Sequence, residues 1–310
     1  MDAAAGLFPD GKFSSRASGA TSAGFLKSAG GARAAAMGGV CAAAGAGAEA
    51  VFLNPATLSR LEPESPKEAS LEYDALLESA YSGTAAFARP LGREGAFAAG
   101  LVYASQGAQT AYNALGDSTG KFTPTDLALG SWYSHRLGSV AVAGGLKLIR
   151  SSLADRSAMT AAADIGILAR HVAEIGEGSL DAGAALLHLG PPLNLGGTAD
   201  PLPLRLRAGS VWHVTPTFDA GLDVNVPVDA DPYASLGVES RIPVSKAASP
   251  KPWAVAVRAG YDQNRTRGVE GLTGVSAGVG FDASSLRLDY AWVPFGDLGS
   301  VNRITLAFRF

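Results

Sequence analysis

The chain has 310 residues, of which 47% are hydrophobic, 17% are charged and 39 are glycine. Apolar residues run along its whole length, which excludes an intrinsically disordered protein. Its single cysteine cannot form an internal disulfide, and no Cys and His residues have the spacing of a zinc site. The net charge of −3 gives no reason to expect nucleic acid as a partner. No uncharged apolar run reaches the roughly 18 residues of a membrane-spanning helix, so a β-barrel is the membrane class left open.

The first 70 residues show no regular alternation of apolar and polar side chains. Ala34 to Ala48 is rich in alanine and glycine, and the triplet Asn54, Pro55 and Ala56 follows it. Proline fixes φ and asparagine caps neighbouring turns, so the triplet predicts a turn, with a plain loop as the alternative. The run from Gly45 to Ala50 fits a loose dinucleotide-binding pattern. No strand-helix-strand unit surrounds it, and we expect no cofactor.

From Leu71 to Phe310, apolar residues alternate with small or polar ones at a period of two, which predicts strands with one apolar face. In Phe218 to Val228, for example, Asp219 and Asp223 lie opposite the apolar face. About 14 strands of roughly ten residues are predicted, which is the length of a tilted membrane-spanning strand. They lie at 71–77, 80–90, 95–104, 125–136, 140–150, 160–170, 180–189, 202–212, 218–228, 235–243, 252–261, 272–281, 285–293 and 303–310.

The connections between predicted strands alternate in length. Short ones are predicted at 91–94, 137–139, 214–216 and 282–284, and longer ones at 105–124, 151–159, 191–201 and 262–271. Outer-membrane barrels have tight turns on the periplasmic side, longer loops outside and, in bacteria, an even number of strands. The pattern predicts an all-β protein, a transmembrane antiparallel β-barrel of about 14 strands in the bacterial outer membrane with both termini periplasmic. We expect the connection 105–124 to face a partner.

A soluble β-sandwich is the alternative fold. It is disfavoured because the less apolar face of the strands is often Ala, Gly or Ser and because strands of soluble sheets are usually shorter. Large aromatic residues also fall near predicted strand ends, as in the aromatic girdles of membrane barrels. They are Trp132, Tyr133, Trp212, Trp253, Tyr261, Tyr290 and Trp292.

Charged residues of both signs fall on the predicted inner face. We interpret them as a self-neutralising network that braces a narrow or plugged lumen, with a selective ion path as the alternative. The network consists of Lys147, Asp164, Arg205, Arg207, Asp223, Arg287, Asp289 and Arg303. The four histidines, His135, His171, His188 and His213, show no local pairing with an acid or nucleophile. The sequence therefore predicts no enzyme and no metal site.

The last strand ends in an aromatic residue, the pattern that bacterial barrel-insertion machinery reads. An ordinary edge strand is the alternative. Closure of a barrel explains the pattern better, because the unpaired backbone N–H and C=O groups of an open sheet edge would find no hydrogen-bond partners in lipid. The signal comprises Ile304, Leu306, Phe308 and Phe310.

Short motifs along the whole chain point to one family. They are FLK at 25–27, GARA at 31–34, MGG at 37–39, NPA at 54–56, GLKLI at 145–149, ADIGIL at 163–168 and DYAWVPFGDLG at 289–299. Together they resemble the PorV/PorQ family of outer-membrane proteins, itself similar to FadL-type transporters. The resemblance implies that residues 1–70 form a hatch, or plug, inside a barrel of residues 71–310. A bore of 14 strands also needs filling, because side chains alone fill a barrel of about eight.

Three functions follow from the resemblance. The first is a non-enzymatic component of type IX protein secretion, with the translocon or the C-terminal signal domains of secreted cargo as partners. The second is passive FadL-like uptake of hydrophobic molecules, in which the hatch controls a path through the barrel wall. The third is a structural scaffold in the outer membrane. In all three, outer-membrane lipid surrounds the barrel.

Overall fold

A computed structural model describes residues 6–245 and 252–310. Within them the strands are β1 (Glu68–Ala75), β2 (Tyr81–Leu91), β3 (Gly95–Ser105), β4 (Gln109–Tyr112), β5 (Ser118–Phe122), β6 (Thr125–Leu137), β7 (Val140–Leu153), β8 (Arg156–Ile175), β9 (Gly178–Leu189), β10 (Leu193–Asn194), β11 (Ala199–Asp200), β12 (Arg205–Thr215), β13 (Phe218–Pro227), β14 (Tyr233–Pro243), β15 (Trp253–Asp262), β16 (Val275–Ala283), β17 (Leu286–Pro294) and β18 (Ser300–Arg309).

Helical structure is short. The one α-helix among the described residues is α1 (Ala32–Ala36), and the other helical turns are 3-10 helices. Four of these lie before the first strand and two lie between later strands. They span Ser15–Ala17, Gly24–Lys27, Ala48–Phe52, Pro55–Arg60, Gln263–Thr266 and Gly296–Leu298.

Fourteen of the strands form one closed antiparallel barrel. Each pairs with its neighbours in chain order, and β1 closes the barrel by pairing with both β2 and β18, with Tyr73 opposite Ile304. The remaining strands form the small hairpins β4–β5 and β10–β11. The predicted all-β barrel and its strand number are confirmed. The first strand begins at Glu68, three residues before the predicted start.

Alternation along each strand separates two surfaces. On β7 and β8, Leu146 and Ile165 are 69% and 55% exposed, whereas Lys147 and Asp164 are buried. The outward side chains are apolar and the inward ones are small or charged. Such an apolar outer band is the surface that a lipid-embedded barrel presents.

The two ends of the barrel differ. We call the end with Glu68 and Phe310 the terminal end and the opposite end the loop end. The terminal end has two-residue turns at 138–139, 176–177, 216–217 and 284–285. The loop end has the long connections 106–124, 190–204 and 263–274.

Two connections depart from the predicted alternation. The prediction of a longer connection at 151–159 is wrong, because β7 and β8 continue through these residues and leave only Ala154 and Asp155 between the two strands. At the terminal end, β14 and β15 are separated by residues 244–252, of which 246–251 lie outside the described residues.

The segment before β1 extends from the loop end to the terminal end. Phe13 donates its backbone N–H to Val228 at the loop end over 2.7 Å, and Arg60 bonds Asp181 near the terminal end over 2.8 Å. Phe13 and Phe310 therefore lie at opposite ends of the barrel. The prediction placed both chain termini on the periplasmic side. Residues 1–5 lie outside the described residues and Phe13 lies at the loop end, so a common side is found only for the barrel ends Glu68 and Phe310. Which end of the barrel is periplasmic stays a prediction.

Trp132 corrects the predicted aromatic girdle. Its side chain is 2% exposed and faces inward from β6, where its ring edge contacts Phe52 at a centroid distance of 5.4 Å. The cause is the alternation along β6, since Ala128 and Ser134 on the same inward face are also buried. The neighbouring Tyr133 is exposed on the outer surface, as predicted.

Candidate functional site: the contact between the N-terminal segment and the barrel wall

Inward-facing glycines let the backbone of the N-terminal segment approach the wall closely. Gly221, Gly237 and Gly260 lie side by side on β13, β14 and β15. A Cβ at Gly237 or Gly260 would clash with the backbone at Met37 and Gly38, and one at Gly183 on β9 would clash with the backbone of Ala42. Glycine in a strand often marks such an approach of another backbone.

Hydrogen bonds hold α1 against β16 and β18. The N–H of Ala32 donates to Thr305 Oγ1 over 2.8 Å. Ser276 Oγ accepts from the N–H of Gly38 and donates to the carbonyl oxygen of Ala36, both over 3.1 Å. A wall side chain thus forms a hydrogen bond at each end of this short helix.

Wall carboxylates also accept hydrogen bonds from the backbone of the N-terminal segment. Asp223 Oδ2 accepts from the N–H groups of Cys41 and Ala42, each over 2.9 Å. On β1, Glu68 accepts from Ala48 over 2.8 Å and Glu72 accepts from Gly31 over 3.0 Å. These bonds satisfy polar backbone groups that are buried.

The triplet Asn54, Pro55 and Ala56 begins the 3-10 helix Pro55–Arg60. Asn54 Oδ1 accepts from the N–H of Ala56 over 3.0 Å, which is the predicted cap. Its Nδ2 donates to the carbonyl oxygens of Ala42 over 2.6 Å and of Ile167 on β8 over 3.1 Å. The capping residue therefore also joins two parts of the N-terminal segment to the wall.

Glu239, an inward residue of β14, is the centre of a charge network in the lumen. It forms ion pairs with Arg33 of the N-terminal segment over 2.8 Å, with Arg241 over 2.9 Å and with Arg258. Arg258 continues to Asp289 over 2.7 Å.

Arg287 extends this network toward β1. It pairs with Asp289 over 3.1 Å, with Glu68 over 3.5 Å and with Glu49 of the N-terminal segment. The predicted residues Arg287 and Asp289 are thus brought together. Glu68 was missed because β1 was predicted to begin only at Leu71, and Glu49 because it lies in a 3-10 helix of the N-terminal segment, where no alternation marks an inward side.

Lys147 and Asp164 form a second, separate cluster. Their ion pair measures 2.8 Å, and Asp164 also accepts from Trp132 Nε1 over 2.9 Å and from the backbone N–H of His188 over 2.9 Å. His188 Nδ1 lies 2.5 Å from Lys147 Nζ. Because a lysine ammonium only donates, this contact requires His188 to accept at Nδ1 and to be neutral.

The other predicted charges lie nearer the loop end. Arg207 Nε donates to Asn225 over 2.8 Å and lies 3.9 Å from Asp223. Arg303 pairs with Asp74 over 3.4 Å. Arg205 forms no ion pair with any residue that the structure describes. The eight predicted residues therefore belong to several clusters rather than one network.

His213 has partners that its sequence neighbours do not suggest. Its Nδ1 lies 2.7 Å from Asp219, and its Nε2 lies 3.4 Å from Asp181, which also bonds Arg60. A two-residue turn between β12 and β13 brings His213 opposite Asp219. If the two predicted strands are aligned across that turn with their inner faces on the same side, His213 and Asp219 become neighbours, so the contact could have been predicted from the sequence.

The predicted C-terminal signal residues face outward on β18. Ile304, Phe308 and Phe310 are exposed, and the ring of Phe310 lies 6.4 Å from that of Phe87 on β2. Phe310 also exchanges backbone hydrogen bonds with Lys67, both over 2.9 Å. The closing strand is therefore paired up to the last residue.

A cavity of about 370 Å³ lies at the loop end, between the N-terminal segment and the wall. The segment contributes Lys27 and Leu53, and the wall contributes Arg205, Arg207 and Arg303. Pockets of roughly 300–1,000 Å³ are the size that binds small molecules. No three His, Cys, Asp or Glu residues of the described chain are grouped as a metal site.

Comparisons with known proteins show which fold this chain has. No protein-family model and no curated protein matches the sequence. Among solved structures, the Ralstonia pickettii toluene transporter TbuX matches with a TM-score of 0.59 and 15% identity over 90% of this chain and 98% of its own. The P. putida toluene transporter TodX matches with 0.55 and 12% over the same shares.

A Pseudomonas aeruginosa FadL homologue matches with a TM-score of 0.53 and 10% identity over 91% of this chain and 98% of its own. No helix in the described residues has the length and hydrophobicity needed to cross a membrane. At sequence identities of 10–15%, the similarity to these three structures shows a shared fold and no more. The chain has the 14-stranded barrel fold of FadL-type outer-membrane proteins.

Proposed function

We propose that this protein is a passive transporter of small hydrophobic molecules in the bacterial outer membrane. The observation that carries the proposal is the fold likeness to two toluene transporters over nine-tenths of the chain. The cavity at the loop end supports it, because a transporter needs a place where its substrate is held. This is the second of the three functions that the resemblance implied.

We further propose that residues 1–70 act as a hatch for the barrel of residues 71–310. Support comes from the hydrogen bonds of Asn54, Ala32 and Cys41 to the wall and from the ion pair of Arg33 with Glu239. These contacts are polar and local. The segment also packs buried apolar side chains such as Phe52 and Val40 against the wall. The wall strands pair only with one another in the closed barrel, so a movement of the hatch would not break their pairing.

The lumen charges suit a closed bore. Arg33, Arg258 and Arg241 surround Glu239, and each positive charge has a carboxylate partner. We propose that this network braces the hatch and does not conduct ions. The type IX secretion role stays a prediction from the sequence resemblance, since neither toluene transporter nor the FadL homologue is named as a secretion component.

Uptake by whole cells tests the transport proposal. The protein is produced in host cells that lack FadL-type transporters, and its assembly is verified by heat-modifiable gel mobility. Labelled toluene is expected to enter several times faster than in cells with an empty vector. An unchanged rate with correctly assembled protein would contradict the proposal.

Labelled sucrose serves as the matched polar tracer. We expect no increase in its uptake, because the hatch fills the bore. A parallel rise of sucrose and toluene would indicate an open pore and would contradict the hatch.

A further inference from the structure

A second pocket, of about 400 Å³, lies on the outside of the barrel at the terminal end, where the N-terminal segment continues into β1. Two cations, Lys67 and Arg89, line it together with Phe310, Ser65 and three prolines. It shares no lining residue with the cavity at the loop end. The pocket is therefore a separate feature that the transport proposal does not use.

Strand pairing places Lys67 and Arg89 side by side on the outer surface. Glu68 lies opposite Ala88 in the pairing of β1 with β2, and both side chains are buried on the inward face. Lys67 and Arg89 are the next residues beyond this pair, so the alternation turns both outward, and both are exposed. Like charges that face each other across two strands repel, so this pair is destabilising by itself.

No carboxylate of the described chain compensates this pair of charges, since neither Lys67 nor Arg89 forms an ion pair with any residue that the structure describes. Of the acids nearby, Glu62 pairs with two arginines of the wall, and Glu68 faces the lumen, where it is buried. Glu64 is exposed and does not line the pocket. The two cations are thus available to an anion from outside the chain.

The pocket lies at the border of the apolar outer band. Phe310 is exposed, and its ring lies 6.4 Å from that of Phe87, the next outward residue after Arg89 on β2. Phe308, the next outward residue on β18, is also exposed. Aromatic side chains and long cations concentrate at the level of the lipid headgroups in membrane proteins. The cations therefore lie at headgroup level, and the apolar side chains continue from them toward the acyl chains.

We infer that this pocket binds the headgroup phosphate of an anionic phospholipid. Lys67 and Arg89 donate hydrogen bonds to the phosphate oxygens, a pairing that the guanidinium geometry suits. The acyl chains lie along Phe87 and Phe308 on the outer band. A lipid is the source of the phosphate because the pocket is continuous with the lipid-facing surface. The inference concerns the outside of the barrel and goes beyond the proposed transport of hydrophobic molecules.

The bound lipid stabilises the closure of the barrel. Lys67 exchanges two backbone hydrogen bonds of 2.9 Å with Phe310, at the end of the pairing between β1 and β18. The phosphate charge offsets the repulsion between Lys67 and Arg89 and so joins β1 to β2 at the same point. We therefore expect the lipid to raise the temperature at which the barrel opens.

Native mass spectrometry of the full chain, released from detergent micelles, tests the inference by counting bound lipids. The probes are phosphatidylglycerol, which is anionic, and phosphatidylcholine with the same acyl chains, which has no net charge. We expect phosphatidylglycerol to be bound more often by a factor of at least about five, because each cation near a lipid surface favours anionic headgroups. Lys67→Gln combined with Arg89→Gln should lower its binding to the level of phosphatidylcholine.

Two further double variants are the controls, and heat-modifiable gel mobility verifies the assembly of each. Lys67→Arg with Arg89→Lys keeps both charges and should keep the preference for phosphatidylglycerol. Lys121→Gln with Arg156→Gln removes two exposed cations at the loop end and should bind phosphatidylglycerol like the unchanged protein. Equal loss in both double glutamine variants would overturn the assignment of the site.

The other measurements separate the parts of the inference. Phosphatidylcholine bound as often as phosphatidylglycerol would overturn the role of charge. Displacement of phosphatidylglycerol by an equal concentration of glycerol 3-phosphate would overturn the lipid and indicate a site for free phosphate. The midpoint of the heat-induced shift in gel mobility should rise by several degrees with phosphatidylglycerol in the unchanged protein and stay the same in Lys67→Gln with Arg89→Gln. An equal rise in both would contradict stabilisation through these cations.

Discussion

Asn54 donates a hydrogen bond from its side-chain Nδ2 to the backbone carbonyl oxygen of Ile167 on β8, over 3.1 Å. Asn54 is fully buried, and the inward residue beside Ile167 is Gly166, where a Cβ would clash with the Asn54 side chain. A residue of the N-terminal segment is thus fitted to a wall position without a side chain. This pair links the proposed hatch to the barrel and provides the first test of it.

Asn54→Ala should loosen the N-terminal segment. It removes the cap of Ala56 and the bonds to Ala42 and Ile167, and leaving these buried groups unsatisfied should cost about 1–3 kcal/mol. Cys41, the single cysteine, is 1% exposed, so an increase in its accessibility would show that the N-terminal segment has loosened. Its labelling by a maleimide in the detergent-solubilised barrel should become at least several times faster.

The control for Asn54→Ala is Asn113→Ala. Asn113 also accepts backbone hydrogen bonds, from Leu115 and Asp117, but within the exposed connection between β4 and β5. Its replacement should leave Cys41 labelling unchanged. Equal labelling rates in Asn54→Ala and the unchanged protein would show that this contact does not hold the segment.

Gly183→Val should displace the N-terminal segment while the barrel stays assembled. A Cβ at this inward position of β9 would clash with the backbone of Ala42, which belongs to the same short stretch as Cys41. We expect fast labelling of Cys41 together with an unchanged heat-modifiable shift in gel mobility.

Gly144→Val is the matched substitution on the outer surface. Gly144 lies on β7 among outward residues, and the nearest atom to an added Cβ is the Asp164 carbonyl oxygen at 3.9 Å. Labelling of Cys41 should stay slow in this variant. Fast labelling in both variants would mean that valine in a strand disturbs the barrel in general.

Glu239→Gln should destabilise the folded protein strongly. It removes the carboxylate shared by Arg33, Arg241 and Arg258. Arg258 keeps Asp289 and Arg241 keeps Asp219, but the largely buried Arg33 has no second carboxylate partner among the described residues. Loss of one partner of a buried ion pair costs about 3–5 kcal/mol. Urea unfolding of the detergent-solubilised protein, followed by gel mobility, measures the change in the free energy of unfolding.

Glu94→Gln is the control for the network. Glu94 is an exposed residue whose ion pair with His135 measures 3.7 Å, and its loss should change stability by about 0.5 kcal/mol at most. A Glu239→Gln protein as stable as Glu94→Gln would contradict the bracing role proposed for the lumen charges.

Acid should release the N-terminal segment at the loop end. Burial raises the pKa of Asp229, but hydrogen bonds from Lys27 over 2.7 Å and Thr21 over 2.6 Å outweigh it, and the pKa lies below its ordinary value. A carboxyl with a lowered pKa stabilises the folded state above its unfolded pKa of about 3.9, and this stabilisation is lost as the pH falls through the folded pKa.

Hydrogen exchange, corrected for its intrinsic pH dependence, measures this release over residues 13–27. Protection in the unchanged protein should fall from about pH 4 downwards. Asp229→Asn should show the lower protection already at pH 7, with little further change in acid. Asp155→Asn, in the exposed turn between β7 and β8, should behave like the unchanged protein. Acid-independent protection would exclude Asp229 as the anchor.

Period-two alternation was sufficient to predict most of the barrel, because lipid outside and a packed lumen inside impose opposite demands on successive side chains. Pairs such as Leu146 and Lys147 show the rule, since one is exposed on the wall and the other is buried. Local chemistry also predicted the cap at Asn54, because the bond to Ala56 spans two residues.

Only the tertiary structure decided which residues meet across the lumen. Arg33 and Glu239 are 206 residues apart, and Cys41 and Asp223 are 182 apart, so no spacing in the sequence joins them. The connection at 151–159 was predicted wrongly because the position of a strand end depends on pairing with the neighbouring strand. Trp132 faces inward for a different reason, since it shares the inward side of the alternation with Ala128 and Ser134. Composition and alternation fix the two faces of each strand, whereas the cavity with Arg205 arises only where closure brings β12, β18 and the N-terminal segment together.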